Sequence, residues 1–212
     1  MGTIQGGMTA RITREFRRAN SDDIIAGVEW YQKAHLLAEE LGFEYGKSLE
    51  QASAVIAALS PQLSWAMNVK AAREVFASGT TGGVLGPNVA KAQRILEGEP
   101  IKSVIGDSLT AKSGFKVRAF HQCILTAGRD EYAVCIDRHA HALASGSRDT
   151  PSLTANRYRE VAHSFRQATQ ILNAEDPQDL RPILTPSAVQ ATVWITWRRR
   201  FWANGAHDPK GF

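Results

Sequence analysis

Apolar residues recur along this chain at spacings of three and four, with hardly any alternation of period two, and that pattern predicts helices. Ile24, Ile25, Val28, Tyr31, Leu36 and Leu37 stand at helical spacings. They predict a helix from an N-cap at Ser21 to about Leu41, closed by Gly42. Ser48 followed by Gln51 has the form of a capping box opening "LEQASAVIAALS". That segment is apolar on most sides, so it is expected to be a buried central helix.

Pro61 breaks the pattern, and Ser64 caps a further helix, "WAMNVKAAREVFA". The glycines of "SGTTGGVLG" predict a loop. Pro87 then starts "NVAKAQRILEG", which stops at Gly98. A helix is expected from Phe115 to Leu125, then a turn, a short strand-like run "AVCI", and another helix. Thr154 to Leu172 reads as a long helix, and Thr185 with Pro186 caps a last one, "SAVQATVWITWRRRFW". The tail "ANGAHDPKGF" reads as loose. About nine helices with hardly any strand make the expected fold all-α.

Composition changes this picture little. The 212 residues suffice for one good core or two small lobes, and 43% hydrophobic with 22% charged residues is ordinary for a globular protein. No run approaches ~18 consecutive apolar residues, so no membrane span is expected. "MGTIQGGMTARITREF" lacks the apolar centre of a signal peptide, which points to a cytoplasmic product. Cys123 and Cys135 are too few and too badly spaced for an iron–sulfur cluster or a structural zinc site, and no metal ligands are assigned.

The charge distribution is more telling than the net charge of +4. From Ser108 to Arg129 lie Lys112, Lys116, Arg118 and Arg129 with no acid, and from Leu180 to His207 lie Arg181, Arg198, Arg199 and Arg200 with no acid. Acid-free basic stretches suit a phosphate-binding face as well as a solvated surface. In "SGFK" a glycine turn at Gly114 opens a helix whose first amides can hold a phosphate, with Lys116 and Arg118 adding charge.

About twenty residues on, "YAVCIDRHAHALASG" delivers Asp137, Arg138, His139 and His141 at the seam between a buried run and a helix. A carboxylate at a helix N-terminus is favoured by the dipole, stays ionised, and can act as a base or stabilise a cation. His141 lies four residues beyond Asp137, on the same helix face, while His139 lies about 200° away. If residue 137 belongs instead to the strand-like entry, His139 becomes the companion. The bland alternative is an N-cap aspartate with two histidines satisfied in packing.

Three of these segments, in order, resemble the helix–hairpin–helix DNA glycosylase superfamily of the endonuclease III type. They are "SAVIAALSPQLSWAMNVKAA", "NVAKAQRILEG" and "SGFKVRAFHQCILTAGRDEYAVCIDRHAHALASG", together about residues 50 to 146. The hairpin has one glycine, Gly114, where the family usually shows two, and neither Lys116 nor Arg118 aligns with the family's lyase lysine. The combination "ALSPQ…W…N", "GFKVRAF" and "IDRHA" is closest to a phage branch of this fold associated with thymine hypermodification.

The resemblance implies a single glycosylase-like domain over 1–212, with two helical lobes and a cleft. One lobe, about 48–145, would carry the hairpin and the aspartate, and the terminal helices would form the rest. It also implies DNA as partner and a modified base flipped out of the duplex. A small amine or amino acid would then displace pyrophosphate from 5-(pyrophosphoryloxymethyl)uracil, in an infected bacterial host if the chain is phage-encoded. On that reading Asp137, with His139 and His141, is catalytic. Gly114, Lys116 and Arg118 hold phosphate, Arg138 holds the amino acid's carboxylate, and Gln62, Trp65 and Asn68 meet the nucleotide. No cofactor is required, though Mg²⁺ could accompany the pyrophosphate.

Two other readings stay open: a DNA N-glycosylase using the same aspartate, and a non-catalytic helical DNA-binding protein. The last helix adds a question of its own. Val189, Val193, Trp194, Trp197 and Phe201 form a broad apolar face ending in Arg198 to Arg200. That face suits core packing, or an exposed Trp202 stacked on a base with the arginines on phosphate.

Overall fold

A computed structural model describes residues 2–106, 114–147, 152–175 and 183–202, with side chains from residue 7 to residue 200 of those ranges. Among the described residues the protein is all-α, with ten helices and no β-strand. The helices are α1 (Gly2–Phe16), α2 (Ser21–Glu44), α3 (Leu49–Leu59), α4 (Trp65–Ser78) and α5 (Gly86–Leu96). They continue as α6 (Ile101–Ile105), α7 (Phe115–Leu125), α8 (Arg138–Ser145), α9 (Ala155–Ala174) and α10 (Pro186–Trp202). The tail after 202 and the Trp202 side chain lie outside the described residues.

Four of the predicted caps hold. Ser48 and Gln51 form the reciprocal capping box of α3, and Ser64 and Thr154 accept from the third amides of α4 and α9. Thr185 accepts from Ala188 N at 3.2 Å ahead of Pro186. Two boundaries of α2 are corrected. Its cap is Asn20, whose Oδ1 accepts from Asp23 N at 2.8 Å while Asp23 Oδ2 accepts from Asn20 N at 3.3 Å. Gly42 does not end the helix, which runs to Glu44. A Cβ on Gly42 would lie 2.8 Å from Lys47 O, so the glycine admits the returning chain rather than stopping the helix. Helices α1 and α6 were not expected from the pattern.

The chain divides into two compact units: residues 1–32 with 128–209, and residues 33–127. In the first, α1 packs on α8, α9 and α10, and Met8, Ile12 and Phe16 join Phe165, Leu172, Val189 and Val193 in its buried core. Helices α2 and α10 approach closely at Gly27, where a Cβ would lie 2.6 Å from Thr192 N.

Two buried carboxylates tie the ends of this unit. Glu15 accepts from Arg200 Nη1 at 2.6 Å and from Arg18 at 3.0 Å; Asp23 accepts from Arg199 Nε at 3.2 Å. The arginines of α10 therefore complete the unit's own charge pairs, and Arg198 lies 4.3 Å over the Trp194 ring. Of the two uses the sequence left open for α10, packing accounts for these contacts.

In the second unit α3 is the central helix, as expected, buried without break from Ala52 to Leu59. Helices α4, α5, α6 and α7 all pack on it. Its core adds Leu41, Val75, Ile95 and Ile124. Helix α7 thus belongs to this unit, whereas Asp137 belongs to the first.

Candidate functional site

In the first unit Asp137 ends a buried, non-helical run, Val134 to Ile136, with no β-strand among the described residues to pair with it. Such a run needs partners for its peptide groups. The Tyr158 hydroxyl of α9 supplies two of them, donating to Val134 O at 2.9 Å and accepting from Ile136 N at 3.2 Å. Neither Tyr158 nor its role was anticipated, since nothing local in the sequence links position 158 to position 135.

Asp137 itself has φ −99° and ψ −176°, outside the helix, and its Oδ1 accepts from Ala140 N at 2.7 Å. The carboxylate is half-buried, and its second oxygen makes no hydrogen bond to a described residue. One oxygen of the carboxylate serves the cap, and the other is the candidate to meet an incoming group.

The extended backbone at 137 removes the shared-face argument for His141. His141 is buried, and its Nε2 accepts from Arg157 Nε at 3.2 Å. Burial first, and then the Arg157 charge, hold its pKa below the ordinary value. His141 is thus a buried imidazole whose Nε2 lone pair is engaged by Arg157. His139 is half-exposed in the first turn of α8 and becomes the companion candidate, and Arg138 is exposed beside Asp137.

Helix α8 is fixed at its other end as well. Arg11 Nη1 donates to Ala144 O at 3.2 Å, and Arg157 Nη2 donates to Ser145 Oγ at 3.0 Å. Gly146 has φ +73°, and a Cβ there would lie 2.7 Å from Arg11 Nε. A cation across the C-terminus and a carboxylate at the N-terminus both complement the helix dipole.

In the second unit α7 starts at Gly114 (φ +78°) without a side-chain cap, and Lys116 is half-exposed in its first turn. Lys112 lies outside the described residues. Arg118 turns back from the expected phosphate position. Its Nη1 donates to Ile105 O at 3.4 Å, and its guanidinium carbon lies 4.9 Å from the Phe115 ring centroid. A Cβ on Gly106 would lie 2.3 Å from that same Nη1, and one on Gly114 would lie 3.3 Å from it. Gly106, with φ +90°, is a second glycine of this region that the sequence reading did not use.

Gln62 is exposed at the turn before α4 with φ +68°, a conformation disfavoured for a residue with a Cβ and frequent near functional sites. Trp65 is half-buried and meets Phe120 of α7 edge to face at 6.4 Å. Asn68 does not face outward. It shares the inner stripe of α4 with Ala71, Ala72 and Val75, and its buried Oδ1 has no hydrogen-bond partner. Among the described residues no group of three or more His, Cys, Asp or Glu could hold a metal ion, and no helix is long and apolar enough to cross a membrane.

A family profile matches residues 2–201, nearly the whole chain, and the protein belongs to that family, DUF7178, a family of unknown function. Comparison with curated proteins and with solved structures gives no match.

Proposed function

We propose that this protein is a DNA-modifying enzyme acting on a modified thymine swung out of its strand, with Asp137 as the catalytic carboxylate. An amine or amino acid displaces pyrophosphate from 5-(pyrophosphoryloxymethyl)uracil. The amine nitrogen bonds to the activated methylene carbon, and the carbon–oxygen bond to pyrophosphate breaks with its electron pair. The amine's proton passes to Asp137 Oδ2. Arg138 holds the co-substrate's carboxylate with its planar fork. In the second unit, taken by itself, Lys116 and the first amides of α7 are suited to meet a DNA phosphate; Mg²⁺ could neutralise the departing pyrophosphate.

The observation that carries this reading is the Asp137 carboxylate, set rigidly at the start of α8 with one oxygen open. The order of the hairpin and aspartate motifs supports DNA as the substrate. A DNA N-glycosylase would use the same group to stabilise a sugar cation and activate water.

The test incubates the protein with DNA bearing the pyrophosphorylated base and an amine. Released pyrophosphate with a mass gain on the intact nucleoside is the expected result. Abasic sites would replace transfer with glycosidic cleavage. Asp137→Asn should keep the cap and DNA affinity while turnover vanishes; surviving turnover would remove Asp137 from the chemistry.

A further inference from the structure

Tyr132 is 73% exposed, five residues before Asp137. Single exposed aromatics are common and need no explanation. This one is unusual because its backbone is held from both sides. Asp130 Oδ1 accepts from Tyr132 N at 2.8 Å and from Ala133 N at 2.7 Å, and Arg166 Nη1 donates to Tyr132 O at 3.2 Å. The ring is thus presented on a pre-set turn, which lowers the ordering cost of anything that stacks on it.

Arg166 is half-buried on α9, with the exposed His163 one turn before it. Burial pushes the pKa of this guanidinium down, opposed by Tyr158, and among the described residues its hydrogen bond is to the neutral Tyr132 O. A half-buried cation bonded to a carbonyl keeps further N–H donors for an anion from outside. Glu131, beside Tyr132 in the same turn, is an exposed carboxylate.

We infer that Tyr132 and Arg166 form a contact for an unstacked nucleotide, the base lying on the Tyr132 ring and its phosphate at Arg166. This rests on the DNA-modifying reading above. Tyr132 lies five residues before Asp137 and outside its cap, so the nucleotide held here is taken as one flanking the target rather than the target itself.

Fluorescence anisotropy of the full chain with two labelled single strands tests it: a thymidine 12-mer and an abasic strand of the same length. Tyr132→Ala should weaken binding of the thymidine strand about 5- to 100-fold and leave the abasic strand unchanged. Tyr132→Phe should bind both strands as the parent does. Arg166→Gln should flatten the salt dependence for both strands by about 0.7 in log–log slope, and Glu131→Gln should tighten both.

Thymidine binding unchanged in Tyr132→Ala would overturn this contact and leave the modification reading standing. So would an equal loss on both strands, which marks a structural role for the ring or a surface for a protein partner. A parent protein that binds neither these strands nor duplex DNA would overturn both proposals.

Discussion

Tyr158→Phe isolates the device that presents Asp137. The substitution keeps the buried ring and removes only the hydroxyl. Two peptide groups then lose their partner, Val134 O and Ile136 N, both on residues buried to 2% exposure or less. A buried backbone group left unpaired costs about 1–1.5 kcal/mol beyond the lost bond's replacement by water, so the pair should cost about 2–3 kcal/mol. At about 2–4 °C per kcal/mol for a chain of this size, the melting temperature should fall by about 4–12 °C.

The local readout is sharper than the global one. The Ile136 amide owes its described hydrogen bond to Tyr158 alone, so its exchange with solvent should accelerate more than that of amides in α3. A melting temperature lowered by less than about 1 °C, with Ile136 exchange unchanged, would refute the clamp.

Three further outcomes follow from the packing. Arg199→Ala or Arg200→Ala, which strip cations from the buried Asp23 and Glu15, should each destabilise the protein by about 2–4 kcal/mol in urea titrations, with the slope of DNA affinity against salt unaltered. Gly27→Ala would place a methyl 2.0 Å from Thr192 Oγ1 and 2.6 Å from Thr192 Cα, costing about 3 kcal/mol; Thr192→Ala should not rescue it, because the backbone contact remains. Burial lowers the pKa of both His121 and His141, so the unfolded chain binds protons that the folded chain refuses. Stability is therefore complete above their ordinary value of 6.5 and should decline as pH falls below it; a melting temperature flat from pH 7 to pH 5 would contradict both burials.

Elements with both an apolar stripe and a local cap were legible from the sequence, as α3, α4, α9 and α10 show. Helix α1 was not, because three glycines dilute its stripe and its order comes from α9 and α10, which lie far along the chain. The same distinction runs through the site. Asp137 and its cap are encoded within four residues, so both could be read. Tyr158, Arg157 and Arg11, which hold that segment, come from remote helices and carry no local pattern. The burial of Asn68 and His141 was not legible for one reason: a polar residue on an inner stripe looks the same in sequence as one facing solvent. Gln62 shows the reverse limit, since its left-handed backbone has no counterpart in residue identity.

The division of the chain has a consequence for synthesis. The second unit is one continuous stretch, whereas the first is assembled from the two flanks of that stretch. Met8, Ile12 and Phe16 leave the ribosome well before their neighbours on α9 and α10 are translated. At about 5–20 residues per second, the roughly 150 intervening residues take about 8–30 s. During that interval the middle unit can already be complete while α1 shows an unsheltered apolar side. Completion of the first unit therefore has to wait for the last helices to be translated.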